Sequence, residues 1–432
     1  MKSILPCIGR LKSTFRLQAS LRCSVARLSC AGRDRWHEIR RSKSSILGAA
    51  ILAIFVLTPS IEMLAQESKP VGAASASSES RSMDKWLSAR EGWQYEWPRD
   101  HSTHAGFKTE WWYFTGNLRT AEGKRFGYQL TFFRQGVRTP DASQVQSRFV
   151  VNDLKFGHFT VTDVDAKEFS FFQQLTRGAF GEAGFGDGLS EPRLAWLGTW
   201  DLRLESDGSF RIQAHEANHA LTLKLAPQKR WAAHGQNGVS RKAEEDDHAS
   251  HYYSGTRLRS QGSLTSSGKT YAVEGESWFD HEWATNQLTP QQAGWDWFSL
   301  QFDDGTELML YRLRRKDGTL DPASSGSFIA ADGTVQHLQN PEIEVHPLKT
   351  WRSRKSEAEY PIRWNVRIPK LEIAVEVSTP VEHQELVLQP VTYWEGLVDV
   401  QGSRAGKALR GHGYVELTGY AGPIVGLSSP TR

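Results

Sequence analysis

From Trp93 onward the apolar positions recur mainly with period two, as in half-buried strands, and not with the 3.6-residue period of a helix. Trp112, Phe114 and Leu118 alternate with Trp111, Tyr113, Thr115 and Asn117, and after Glu122-Gly123 the run Tyr128-Gln129-Leu130-Thr131-Phe132 resumes the pattern, which predicts a hairpin. Similar runs recur at 159–164, 200–204, 210–214, 221–225, 271–278, 295–302, 308–313, 363–368, 371–377 and 414–417, with turn pairs such as Asp207-Gly208, Asp304-Gly305 and Asp332-Gly333 between them. The chain therefore reads as all-β with one or two short helices, one of them around Ser170–Arg177.

The pattern also repeats on a longer scale. Trp111-Trp112-Tyr113-Phe114-Thr115, followed by Glu122-Gly123, aligns with Trp295-Asp296-Trp297-Phe298-Ser299, followed by Asp304-Gly305. Each copy is succeeded by an aromatic strand ending in arginine (Phe133-Arg134 and Tyr311-Arg312). Apolar residues on both strand faces suit a barrel with an apolar interior packed on a second one. The expectation is two tandem antiparallel β-barrels packed together, spanning 90–262 and 263–428.

The amino terminus has a different character. Residues 1–45 hold eleven Lys or Arg against Asp34 and Glu38, so the net charge of +3 conceals a remainder of −6. With its basic residues scattered, that remainder argues against a nucleic-acid partner. Ile46–Leu57 carries no charge and is followed by Thr58-Pro59-Ser60, which reads as a secretory signal or a membrane anchor over residues 1–65. Export to the periplasm follows, with 46–61 as the inner-membrane anchor if the signal is not cut. All three cysteines precede the apolar run, so the exported part has no disulfide and no thiolate metal site. Residues 66–89, rich in Ser, Ala and Gly, read as a disordered tether.

The aromatic load of 16 Trp, 20 Phe and 11 Tyr suggests packed or ligand-facing sites. His215-Glu216-Ala217-Asn218-His219 satisfies the H-E-x-x-H zinc pattern, but it lies between two alternating runs and reads as a hairpin loop. His101-x-x-His104 and His248-x-x-His251 have metal-pair spacing, with surface histidines as the simpler reading. No G-x-S-x-G elbow is present, and the glycines of 184–188 lack the flanking strand and helix of a dinucleotide site. No metal and no cofactor is assigned.

The sharper constellation is Glu274 to Trp283. On a strand, Glu274, Glu276, Trp278 and Asp280 share one face, where mutual repulsion and lost hydration raise the pKa of at least one carboxyl and make it a general acid. The alternative is a solvated outer wall whose acids pair with Arg257 or Arg312.

Several motifs together resemble a known family. Phe107-Lys108-Thr109-Glu110-Trp111-Trp112-Tyr113-Phe114-Thr115-Gly116-Asn117-Leu118, His251-Tyr252-Tyr253-Ser254, Trp278-Phe279-Asp280-His281-Glu282-Trp283, Gly294-Trp295-Asp296-Trp297-Phe298 and Tyr393-Trp394-Glu395-Gly396 are similar to the AttH-like and carotenoid 1,2-hydratase (CrtC) lipocalin-like family over about residues 90–425. The resemblance implies two lipocalin-like barrels. In its hydratase branch it implies cofactor-independent addition of water to a terminal trisubstituted alkene, through a carbocation that aromatic faces stabilise. Carried over by motif, Asp280 donates the proton, His251 orients the water or the acid, and the rings of Tyr253 and Trp278 flank the cation. Trp111, Trp112, Tyr113, Trp295, Trp297 and Trp394 are the candidate ligand-facing aromatics. The chain departs from the branch at Tyr253, Trp278 and Glu282, where the branch has Trp, Tyr and Asn.

Two functions are therefore expected. One is an exported protein that binds an extended apolar ligand, an isoprenoid or lipid, and hydrates a C=C bond of it. The other is a non-catalytic lipid or lipoprotein carrier serving an ABC-type export permease. A purely structural pair of Trp-filled barrels is the third possibility.

Overall fold

The structure is a computed structural model of the chain and describes residues 85–424 apart from 141–148, 187–189, 237, 245–246 and 390. The expected signal or anchor lies outside the described residues. Of the expected tether, residues 85–89 are described and are packed: Ala89 is buried and the Leu87 amide donates to Gly106 O at 2.9 Å.

Among the described residues the first sheet comprises β1 (Thr109–Arg119), β2 (Arg125–Gly136), β3 (Asp153–Asp163), β4 (Glu168–Thr176), β5 (Ala183–Phe185), β6 (Arg193–Leu197), β7 (Trp200–Leu204), β8 (Phe210–Glu216), β9 (His219–Pro227), β10 (Ala232–Ala233), β11 (Val239–Arg241), β12 (Ala249–Ser266) and β13 (Lys269–Ala284). Its order is β4-β3-β2-β1-β13-β12-β9-β8-β7-β6-β5, with β10 and β11 pairing β12. The second comprises β14 (Gln292–Phe302), β15 (Glu307–Arg315), β16 (Ser325–Ile329), β17 (Val335–Gln339), β18 (Glu344–Arg352), β19 (Glu359–Ile368), β20 (Ile373–Ser378), β21 (Glu385–Val387), β22 (Thr392–Arg404) and β23 (Lys407–Leu417). Its order is β17-β16-β15-β14-β23-β22-β20-β19-β18, with β21 on β22. The first sheet curls into a nearly closed barrel and the second into a half-barrel.

The internal repeat is visible in the topology. In each sheet the first four strands meander outward in sequence order, and the last strand returns to pair with the first, β13 with β1 and β23 with β14. The division between the halves falls after Ala284, not at 262/263, because β13 closes the first sheet. Alternation marks β13 as a strand but carries no information about which sheet it joins. The segment expected to be helical, 170–177, is strand β4: Phe172 packs into the first barrel while Phe169 and Phe171 pack on a cluster around Leu386 and Tyr393. Two-sided packing of an aromatic run overrides a weak helical pattern.

Besides the small cluster around Leu386 and Tyr393, three larger hydrophobic cores form among the described residues. One fills the first barrel around Trp112, Phe114, Phe210 and Phe279, and a second lies in the half-barrel around Trp364, Trp394 and Phe298. The third lies between them and includes Tyr113, Tyr252, Trp278, Trp297, Tyr311 and Leu397. Polar ties bridge the same seam: Arg257 reaches Glu276 and Glu307, each at 2.7 Å, and the Asn117 side-chain amide donates to Gly413 O at 3.1 Å.

Candidate active site

The seam between the two halves encloses a cavity of about 420 Å³. Trp111, Tyr113, Phe133 and Phe156 line it from the first sheet, and Trp295, Trp297, Tyr311 and Leu313 from the second. The strand period decides this. Residues paired directly across an antiparallel ladder share a face, and Tyr113 pairs with Asp280 while Trp297 pairs with Glu416, so both carboxyls join the aromatic wall.

Asp280 is 4% exposed. Its Oδ1 accepts from Trp278 Nε1 at 2.6 Å and from the Ser254 hydroxyl, and its Oδ2 accepts from the Tyr252 hydroxyl at 2.8 Å. Trp297 Nε1 donates in turn to Tyr252 Oη at 3.1 Å. Burial pushes the carboxyl up, the three donors pull it down, and the nearby Glu282 raises it again, leaving it at about 7. Beside it Lys242 Nζ lies 3.0 Å from Glu282 Oε1 and 4.2 Å from the centroid of the Tyr311 ring. Desolvation works against the ammonium, yet Glu282 holds its pKa above the ordinary lysine value. Across the cavity Glu416 Oε2 accepts from Trp295 Nε1 at 2.9 Å, and loss of bulk water pushes this acid too up to about 7.

The expected site residues separate by strand face. Asp280 lines the cavity, and Trp278 donates to it without lining the cavity itself, so its ring is not placed to flank a bound cation. His251 and Tyr253 do not join them: β12 pairs Ser254 with Asp280, so the even residues Tyr252 and Ser254 reach the Asp280 carboxyl and the odd ones point into the first barrel. There His251 packs on Trp93 with ring centroids 4.8 Å apart, and burial lowers it to about 4. Tyr253 Oη lies 2.7 Å from His101 Nδ1. The assignment of His251 to the water or the acid, and of Tyr253 to the cation, is corrected on this ground. Of the aromatics, Trp111, Tyr113, Trp295 and Trp297 line the cavity, while Trp112 and Trp394 are buried in the two barrel cores. Tyr252, Ser254, Lys242 and Glu416 escaped the sequence reading. The internal repeat held the signal for Glu416, because the residue opposite Trp297 corresponds to the residue opposite Tyr113.

The other histidine motifs serve structure. His215-Glu216 and His219 end the β8–β9 hairpin, where Glu216 accepts from Trp200 Nε1 at 3.0 Å. Inside the first barrel His104 Nδ1 and His281 Nε2 lie 2.7 and 3.0 Å from Glu110 Oε1, and Arg134 Nε lies 3.1 Å from Glu110 Oε2. Burial favours the neutral acid, but these partners hold the Glu110 carboxyl well below its ordinary range. The donor atoms of His104, Glu110 and His281 lie within 4.8 Å of one another. Glu110 also takes the His104 amide and the Thr103 hydroxyl, at 2.9 and 3.0 Å, so its oxygens are spent on protein donors.

A nearly closed barrel and a half-barrel with an acid-bearing aromatic cavity at their seam define a lipocalin-like protein. The AttH-like profile matches residues 88–420, and the chain belongs to that family. The chain is similar to an AttH protein of Nitrosomonas europaea, with 32% identity, a TM-score of 0.70, and coverage of 77% of this chain and 99% of that one. Its fold is also that of kievitone hydratase from Nectria haematococca, with 16% identity, a TM-score of 0.60, and coverage of 78% and 97%. Comparison with curated proteins finds no match.

Proposed function

We propose that the chain is an exported hydratase-type hydro-lyase, working without a cofactor, that takes an extended apolar isoprenoid into the seam cavity and adds water across one of its C=C bonds. The observation that carries this reading is Asp280: a carboxyl in an aromatic cavity, at about 7, with three donors aimed at it. Burial keeps a proton on it near neutrality. Trp278, Ser254 and Tyr252 stabilise the carboxylate once that proton has moved to the alkene carbon. The faces of Trp111, Trp295 and Trp297 suit the resulting tertiary cation, and a water captures it. That a hydratase shares the fold is consistent with this chemistry.

A non-catalytic lipid carrier, handing its cargo to an ABC-type export permease, is the second reading. It is favoured by the apolar rim of the cavity, where Leu154 and Leu175 are 37% and 61% exposed. In both readings the basic, then apolar, segment up to Leu57 delivers the protein to the envelope.

Solvent extraction of the purified protein after soaking in an isoprenoid and lipid mixture, followed by mass spectrometry, separates the two. A water adduct formed by the wild type and absent from Asp280→Asn is expected for the hydratase. A phospholipid retained equally by both proteins would establish the carrier instead. An empty protein in both cases would sink the two readings together.

A further inference from the structure

Asp280 has a counterpart. The repeat aligns Tyr113 with Trp297, and the strand that closes each half sets an acid directly opposite: Asp280 on β13 against Tyr113, Glu416 on β23 against Trp297. Because the halves pack these equivalent faces on each other, both acids enter one cavity, each from its own barrel. They differ in their partners. Asp280 accepts three donors, whereas Glu416 accepts one, from Trp295 to Oε2, and among the described residues nothing bonds its Oε1.

We infer that Glu416 is a second catalytic carboxyl, one that takes the proton of the capturing water while Asp280 supplies the proton that forms the cation. The inference rests on the hydratase reading and extends it. In the step, the Asp280 O–H bond breaks and a C–H bond forms from the alkene π pair. A water oxygen lone pair then forms the C–O bond, and the water's surplus proton passes to the Glu416 carboxylate. The net change is alkene plus water to alcohol, with one proton moved from Asp280 to Glu416; its return through cavity water resets the pair. The charge of Asp280, after desolvation, helps to raise Glu416, and Glu282 adds to it. The other ionisable groups facing Glu416 are Glu395 on β22, whose Oε1 takes the Tyr113 hydroxyl, Tyr393 beside it, and Lys242, which is held by Glu282.

The test uses the full chain with an acyclic carotenoid in ¹⁸O-labelled water, together with an infrared titration of the protonated-carboxyl band from pH 5 to 9. For Glu416→Gln, turnover should fall by about 10²-fold or more and carotenoid binding read by tryptophan quenching should be unchanged, while in Asp280→Asn the Glu416 midpoint should drop once the neighbouring charge is gone. Turnover intact in Glu416→Gln but abolished in Asp280→Asn overturns the inference and leaves the hydratase reading standing. A wild type that labels no alkene overturns the reading, and the role of Glu416 with it. Should Glu416→Gln not fold, Glu416→Asp keeps the charge and draws the carboxyl back by one methylene: slowed turnover with carotenoid binding kept supports the role, and turnover at the wild-type level refutes it.

Discussion

Replacing Asp280 by asparagine should stabilise the protein by an amount that grows from about pH 4 and is complete above about pH 7. The folded protein holds this carboxyl at about 7 against an ordinary value of 3.8. An acid whose pKa rises on folding binds its proton more tightly in the native state, so its favourable contribution is complete at low pH. That contribution is lost as pH rises from about 4 through about 7. Three pH units correspond to roughly 4 kcal/mol, at about 1.4 kcal/mol per unit. Asparagine fills the same volume and carries no charge, and its Oδ1 can accept from Trp278 and Ser254 as the protonated acid does. The two proteins should therefore melt together near pH 4, diverge progressively from there, and keep a constant full separation above about pH 7. For the ~340 folded residues the unfolding entropy converts roughly 4 kcal/mol into about 6 °C. Thermal melts by circular dichroism at half-unit steps from pH 4 to 9 measure the separation. A constant offset across that range, or an asparagine variant that is less stable at pH 8, would refute the assignment of a burial-raised pKa to Asp280.

Tyr252→Phe removes the donor to Asp280 Oδ2, so the carboxyl midpoint should rise by about one unit, and an infrared titration showing no rise would count against the hydrogen bond. Glu110→Gln leaves Arg134 buried without its counter-charge inside the first barrel; a loss of roughly 3–5 kcal/mol in guanidinium unfolding is expected, and a loss under about 1 kcal/mol would show that the network is not held together by charge. At Gly127 a Cβ would come within 2.5 Å of Leu397 Cδ2 across the seam, so Gly127→Val should cost roughly 1–3 kcal/mol and weaken carotenoid binding. Leu397→Ala in the same chain should restore part of both, and no restoration would mean that the clash lies elsewhere.

The strands were legible because alternation is a local property: β1, β2, β14 and β15 lie where the runs of Trp, Tyr and Phe predict them. The repeat was legible for the same reason. The position of the cavity was not, since it depends on which outer faces the two halves press together, and no local pattern records that. The face of β12 was lost in the same way. Whether His251 and Tyr253 or Tyr252 and Ser254 accompany Asp280 is a question of one residue of register, and the bulge between Gly255 and Leu258 changes parity partway along the strand. Motif transfer named a histidine that the pleat turns to the far side. Glu416 was within reach of the repeat, but only once the pairing partners of Tyr113 and Trp297 were known.

A pocket whose two walls belong to the two copies of a duplicated unit constrains how it came to exist. Either half alone would present its aromatic wall and its acid to water, as an open sheet face with nothing enclosed. A single such unit encloses a chamber only by associating with a second copy of itself, and the same acid then approaches from both sides. Joined in one chain the halves need not be equal, and their inequality, three donors on the Asp280 side and one on the Glu416 side, is a difference that two identical copies could not encode.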